Sequence, residues 1–202
     1  ILDDFCDSIS AHSYWIDNNW WAKSAFGEKM AKQYPDKKFE MSEWCELPLS
    51  IDSKTIDSGL YMANIIVQDL NLLGAVSWQS WTAVNGDGVL DFVNGELVKY
   101  NRYYAYKHFS QFIKEGMSRV TVLDSLEEKS NIASTAFKGD GETVIILINN
   151  AEESKDIRLF GVYDTMEIYR TDAHTNCEKI YSGDYSRKMN LPEKSITTIV
   201  LE

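Results

Sequence analysis

Long apolar runs are missing from this 202-residue chain. Nothing approaches the roughly 20 residues needed to cross a bilayer, and no basic segment followed by an apolar one opens it, so membrane insertion is not expected. Cysteine is scarce. Cys6, Cys45 and Cys177 are unevenly placed, so no disulfide framework can be read, one bridge stays open, and the compartment is undetermined. Histidine occurs only as His12, His108 and His174, without ligand spacing to cysteines or acidic residues, so neither metal nor other cofactor is expected. Positive charge is in deficit, with 20 Lys and Arg against 31 Asp and Glu and a net charge of −11 spread along the chain. That distribution argues against nucleic acid as a partner. Internal repeats and low-complexity segments are absent too. What these absences leave is a soluble globular chain with material for one domain or two. Its opening residues, Ile1-Leu2-Asp3-Asp4-Phe5, begin without Met close to the first expected strand end, so the chain is expected to start mid-fold, as a fragment.

Two compositional regimes follow one another. Over residues 1–116 short apolar runs alternate with helical patterns, the signature of βα units around a parallel sheet. A strand is expected over Lys38–Ser42 and a helix in which Leu60, Ala63, Val67 and Leu70 recur at spacings of three and four, capped by Asp57 or Ser58. A second strand should run from Ala75 to Trp78, a turn-rich loop from Val84 to Gly88, and a last helix from about Lys99 to Lys114, ending at Gly116. Over residues 117–202 the helical period disappears. β-branched runs at Val120–Leu123, Ile132–Phe137, Thr143–Ile148, Met166–Tyr169 and Ile196–Leu201, with a hairpin turn at Gly139-Asp140-Gly141, predict a small antiparallel β-sandwich.

Chemistry concentrates in the first regime. Phe39-Glu40-Met41-Ser42-Glu43-Trp44-Cys45 places a lone carboxylate at the end of an extended run, flanked by aromatics. Ala75-Val76-Ser77-Trp78-Gln79-Ser80-Trp81 repeats that layout, and Ser10-Ala11-His12-Ser13-Tyr14-Trp15 does so a third time. Strand ends carrying polar and aromatic groups are how a sugar cleft is built at the C-terminal rim of a β/α barrel. Glu43 is the candidate nucleophile, with His12 and Tyr14 as donors that hold it anionic. Glu40, on the opposite face from Met41, and Glu46, beyond the strand end, are set aside as solvated or loop-anchoring. Trp78 and Trp81 suit the apolar face of a pyranose while Gln79 reaches its hydroxyls. Trp44 and Trp15 complete the substrate-binding set, with packing as the alternative for Trp44. Trp15, Trp20 and Trp21 either extend the cleft or cover the edge of the barrel, and Tyr100, Tyr103 and Tyr104 read as packing.

Met41-Ser42-Glu43-Trp44-Cys45, Ser77-Trp78-Gln79-Ser80-Trp81, the run from Lys99 to Val120 and Leu191-Pro192-Glu193-Lys194-Ser195-Ile196-Thr197-Thr198, taken in order, resemble glycoside hydrolase family 30. The resemblance covers nearly the whole chain. It implies the C-terminal part of a (β/α)8 TIM barrel, strands six to eight, followed by the β-sandwich side domain. It also implies a retaining O-glycosyl hydrolase acting on a β-glycan, closest to the endo-β-1,6-galactanase branch, with xylanase or glucosylceramidase-type specificity as the alternative. The family's acid/base Glu follows an Asn on strand four, and this chain has no Asn-Glu dipeptide. The acid/base is therefore expected outside it, in the missing N-terminal half of the barrel, and these residues alone are expected to be inactive. The implied partner is an oligo- or polysaccharide, and secretion or the cell surface follows from that substrate class. A non-catalytic carbohydrate-binding or scaffold protein is the rival reading.

Overall fold

The computed structural model describes residues 5–17, 19–47, 51–84, 86, 88–122 and 131–202. The chain divides into two compact units, one formed by residues 1–50 with 64–98 and the other by residues 51–63 with 99–202. The change of hydrophobic period at Gly116 thus follows composition, whereas by packing the segment 99–116 goes with the antiparallel part.

In the first unit β1 (Ser8–His12), α1 (Trp20–Gln33), β2 (Lys38–Trp44), α2 (Ile56–Leu72) and β3 (Ala75–Ser80) alternate. The strands form a parallel sheet in the order β1-β2-β3. Asn19 caps α1, its side chain accepting the Ala22 N–H at 2.9 Å. Gly27 lets α1 approach α2 closely, since a Cβ there would lie 1.9 Å from the Leu72 carbonyl oxygen. α2 gives residues 64–72 to this unit and its first turns to the other. Leu60, Ala63, Val67 and Leu70 are buried as their spacing predicts, but Met62, Ile65 and Ile66 are buried too, so the helix is covered on more than one face. Neither Asp57 nor Ser58 caps it, because α2 begins at Ile56 and the Ser58 hydroxyl accepts from Arg102 Nε instead. A hairpin of β4 (Leu90–Val93) and β5 (Glu96–Lys99) follows, turning through Asn94 and Gly95 at φ 53° and 85°. Its Asn-Gly signal was overlooked in the sequence reading. The loop expected over Val84–Gly88 includes Asn85 and Asp87, which lie outside the described residues, as does Leu123 of the expected Val120–Leu123 strand.

In the second unit α3 (Asn101–Ser110) precedes eight strands, namely β6 (Ser118–Val120), β7 (Ile132–Gly139), β8 (Glu142–Asn149), β9 (Lys155–Arg158), β10 (Thr165–Thr171), β11 (Asn176–Asp184), β12 (Lys188–Leu191) and β13 (Ser195–Leu201). Six form a sheet in the order β11-β10-β13-β8-β7-β6, and β12 pairs with β9. The Asp140-Gly141 turn joins β7 to β8 with both residues at positive φ, 52° and 83°. Leu147, Met166, Ile168, Ile199 and Leu201 of the large sheet pack with Leu191 of β12 and Ile157 of β9 in one apolar cluster. On its other face lies α3, whose buried His108 lies 2.7 Å through Nδ1 from the Thr198 hydroxyl of β13 and 2.9 Å through Nε2 from the Thr171 hydroxyl of β10. Among the described residues the architecture is therefore part of a β/α layer with three parallel strands and no closed barrel, and an antiparallel two-layered domain.

Candidate active site

Glu43 lies one residue from the end of β2, and an irregularity in that strand decides its environment. Ala11 pairs with Met41 but His12 with Glu43, and on the other side Met41 pairs with Trp78 but Trp44 with Ser80. Between Met41 and Trp44 β2 therefore carries one extra residue against each neighbour, whereas between Phe39 and Glu40 it is β3 that carries one. Phe39 and Met41 are buried, and strict alternation would carry Glu43 to the same face. The extra residue resets the phase, so Trp44 takes the buried place and Glu43, with its side chain 22% exposed, is turned toward solvent. Tyr14 Oη donates to Glu43 Oε1 at 3.0 Å, and His12 Nδ1 lies 3.4 Å from the same oxygen. Tyr14 Oη also lies 3.8 Å from Cys45 Sγ. Burial, together with its contacts to Cys45 and Glu43, pushes the Tyr14 phenol well above the usual range, so it stays a donor.

Behind these strand ends sits a polar cluster that the sequence did not announce. Asp69 of α2 is fully buried and accepts from Ser13 Oγ at 2.8 Å, Lys23 Nζ at 2.8 Å and Trp78 Nε1 at 2.9 Å. One carboxylate thereby ties together the segment after β1, α1 and β3. Burial pushes its carboxyl above the usual carboxylate range, against the downward pull of Lys23, Trp78 and Ser13. Trp44 donates from Nε1 to Asp17 at 2.8 Å and packs on Trp78 with ring centroids 5.9 Å apart. Among the described residues no group of three His, Cys, Asp or Glu side chains could hold a metal, and Cys6, Cys45 and Cys177 form no disulfide. Nor, among those residues, is any helix long and apolar enough to cross a membrane.

No protein-family model matches the chain. Mouse (Mus musculus) lysosomal acid glucosylceramidase is 27% identical over 151 residues, which is 65% of this chain and 28% of that protein. A conserved exported protein from Bacteroides fragilis superimposes with a TM-score of 0.86 at 23% identity over 96% of this chain and 46% of its own. A GH30 endoxylanase from Clostridium papyrosolvens does so with a TM-score of 0.78 at 20% identity, covering 99% and 50%. The chain is related to glycoside hydrolase family 30. It spans about half of these solved chains and less than a third of the glucosylceramidase.

Among the residues singled out at the strand ends, the fold brings His12, Tyr14 and Glu43 into contact. The Trp81 N–H donates to the Trp44 carbonyl at 2.9 Å, which anchors Trp81, 57% exposed, beside the end of β2. Gln79 is exposed at the end of β3, and Trp15, 79% exposed, follows Tyr14 directly. Trp78 is half-buried, its N–H committed to Asp69 and its ring leaning on Trp44. Trp44 departs from the expectation of a substrate contact: at 1% exposure it is packing that backs Glu43, because the extra residue in β2 sends it inward. Glu46 is buried rather than solvated. Asp17, Lys23 and Asp69 were missed altogether. In sequence Lys23 is one of several α1 lysines, whereas Asp69 is the sole charged residue of α2 beyond its first turn, and only the second of these was a usable signal.

Proposed function

We propose that these residues supply the nucleophile half of a retaining O-glycosyl hydrolase that cleaves a β-glycan, with the acid/base Glu carried by residues outside this chain. The observation that carries the reading is the Glu43 carboxylate at a strand end, part-exposed, with Tyr14 Oη and His12 Nδ1 both on Oε1. Two contacts on one oxygen hold the carboxylate in place. Oε2 is then the attacking atom. It bonds to the anomeric carbon as the glycosidic C–O bond breaks, a second carboxylic acid about 5 Å away protonates the departing oxygen, and water later releases the sugar with its configuration retained. The described strands correspond on this reading to six, seven and eight of a (β/α)8 barrel, and three strands cannot close one.

β-1,6-Galactan is the first-choice substrate, following the Ser-Glu-aromatic-Cys and Trp-Gln-x-Trp runs. A glucosylceramidase or a xylanase specificity is the alternative, in keeping with the names of the relatives. Trp15, Trp78, Gln79 and Trp81 would line the sugar subsites, and such a substrate puts the protein outside the cell or on its surface. The test is reducing-sugar release from β-1,6-galactan and glucuronoxylan by a longer polypeptide containing these residues, with Glu43→Gln beside it. The substitution should cut turnover by roughly four orders of magnitude or more while sparing binding. Release that survives it sinks the assignment of Glu43, and an absence of release from either glycan, with binding intact, favours a carbohydrate-binding protein.

A further inference from the structure

We infer that the buried Asp69 is a positioning residue for the nucleophile, holding from behind the residues that set the place of Glu43, an inference that rests on the glycosidase reading. The ladder between β1 and β2 ends at the His12/Glu43 pair, so Ser13 and Tyr14 take no register from β2. Tyr14 Oη nevertheless comes to 3.0 Å from Glu43 Oε1. Between His12 and Tyr14 stands Ser13, itself buried, whose hydroxyl donates to Asp69 Oδ1 at 2.8 Å. The other carboxylate oxygen, Oδ2, accepts from Trp78 Nε1 at 2.9 Å, and the Trp78 ring leans on Trp44, the residue after Glu43. Two donors on Asp69 therefore come from the immediate surroundings of Glu43, one from the end of β1 and one from β3. The third, Lys23 Nζ at 2.8 Å, supplies the countercharge, and both charged side chains are fully buried. Stability does not account for such a pair, because apolar side chains of similar volume hold a helix in place as well or better. What apolar side chains cannot do is aim a hydroxyl and an indole N–H, whereas a carboxylate with both oxygens engaged does. The aim matters because attack needs the carboxylate within about 3–3.5 Å of the anomeric carbon, and a displacement of about 1 Å costs about a hundredfold.

The experiment compares Lys23→Met/Asp69→Leu and Ser13→Ala with the parent, all in the longer polypeptide. The double variant removes both charges together, so its urea midpoint should stay near that of the parent. Its kcat should nevertheless fall about a hundredfold, with KM changed by less than about fivefold. Ser13→Ala keeps the ion pair and should lower kcat about tenfold. In a crystal structure of the double variant, Tyr14 Oη should stand about 1 Å or more further from Glu43 Oε1. A kcat restored along with stability in the double variant, or a Tyr14 that has not moved, overturns the inference. If the double variant does not fold, Ser13→Ala decides, and an unchanged kcat there overturns it equally. A glycosidase reading that fails by itself shows differently, as turnover indifferent to Glu43→Gln, and the distance from Tyr14 to Glu43 then still decides what Asp69 holds in place.

Discussion

The two units of this molecule satisfy their buried polar groups with different partners, a countercharge in one and hydroxyls in the other. The parallel unit encloses a full ion pair, Lys23 with Asp69, and completes the carboxylate with Ser13 and Trp78. The antiparallel unit encloses the Arg102 guanidinium, which donates to Ser58, and a titratable ring, His108 on α3, held neutral between two threonines of the sheet. Burial pushes that imidazole down to about 3, with Lys107 adding to the shift. The parallel unit leaves Trp15, Trp21 and Trp81 exposed, while the antiparallel one closes an apolar cluster between its sheet and the β9/β12 ribbon. Charge inside a protein is costly unless every donor is met, and is retained where orientation matters more than stability. Asp69 sits where both Ser13, next to Tyr14, and Trp78, against Trp44, need to be aimed.

That contrast can be broken at its centre first. Lys23→Met leaves the Asp69 carboxylate buried without its countercharge and should cost about 3–5 kcal/mol, much of it recovered when Asp69→Leu is added. All six tryptophans lie in the parallel unit, so indole fluorescence in urea reports that unit alone, and a loss under about 1 kcal/mol in the single variant would deny the pair its role. The corresponding weakness of the antiparallel unit is acid. His108 binds its proton near pH 6.5 when unfolded and only near pH 3 when folded, so the folded form carries fewer protons between those values. Stability is full above about pH 6.5 and falls on acidification by about 1.4 kcal/mol per pH unit, or about 2 kcal/mol by pH 5. Far-UV circular dichroism in urea at pH 7 and pH 5 measures this, and His108→Gln should remove the difference. A parallel slope in that variant would assign the acid sensitivity elsewhere. The smallest expected effect is local: Gly141→Ala, at φ 83° in the β7/β8 turn, should cost about 1 kcal/mol and leave indole fluorescence midpoints unmoved.

Much of this was legible beforehand because it is local. The strands β2 and β3, the helices α2 and α3, the Asp140-Gly141 turn and the β-branched runs of β7, β8, β10 and β13 are properties of neighbouring residues and sit where their periods place them to within a few positions, whereas the β4/β5 hairpin and β9, β11 and β12 carry weaker periods. The contact among the site residues was legible as two strand ends, that of β1 bearing His12 and Tyr14 and that of β2 bearing Glu43. What remained hidden depends on residues distant in sequence. Ser58 looked like a cap and serves Arg102, 44 positions on, and Lys23 meets Asp69 46 positions away.

The sequence by itself determined the kind of element on which His12, Glu43 and Trp78 sit, since short-range periodicity is written in it. Only the tertiary structure decided which way Glu43 and Trp44 face. That depends on the pairing of β2 with β1 and β3 shifting between Met41 and Trp44, and a pairing register is a relation between strands, which no single strand contains.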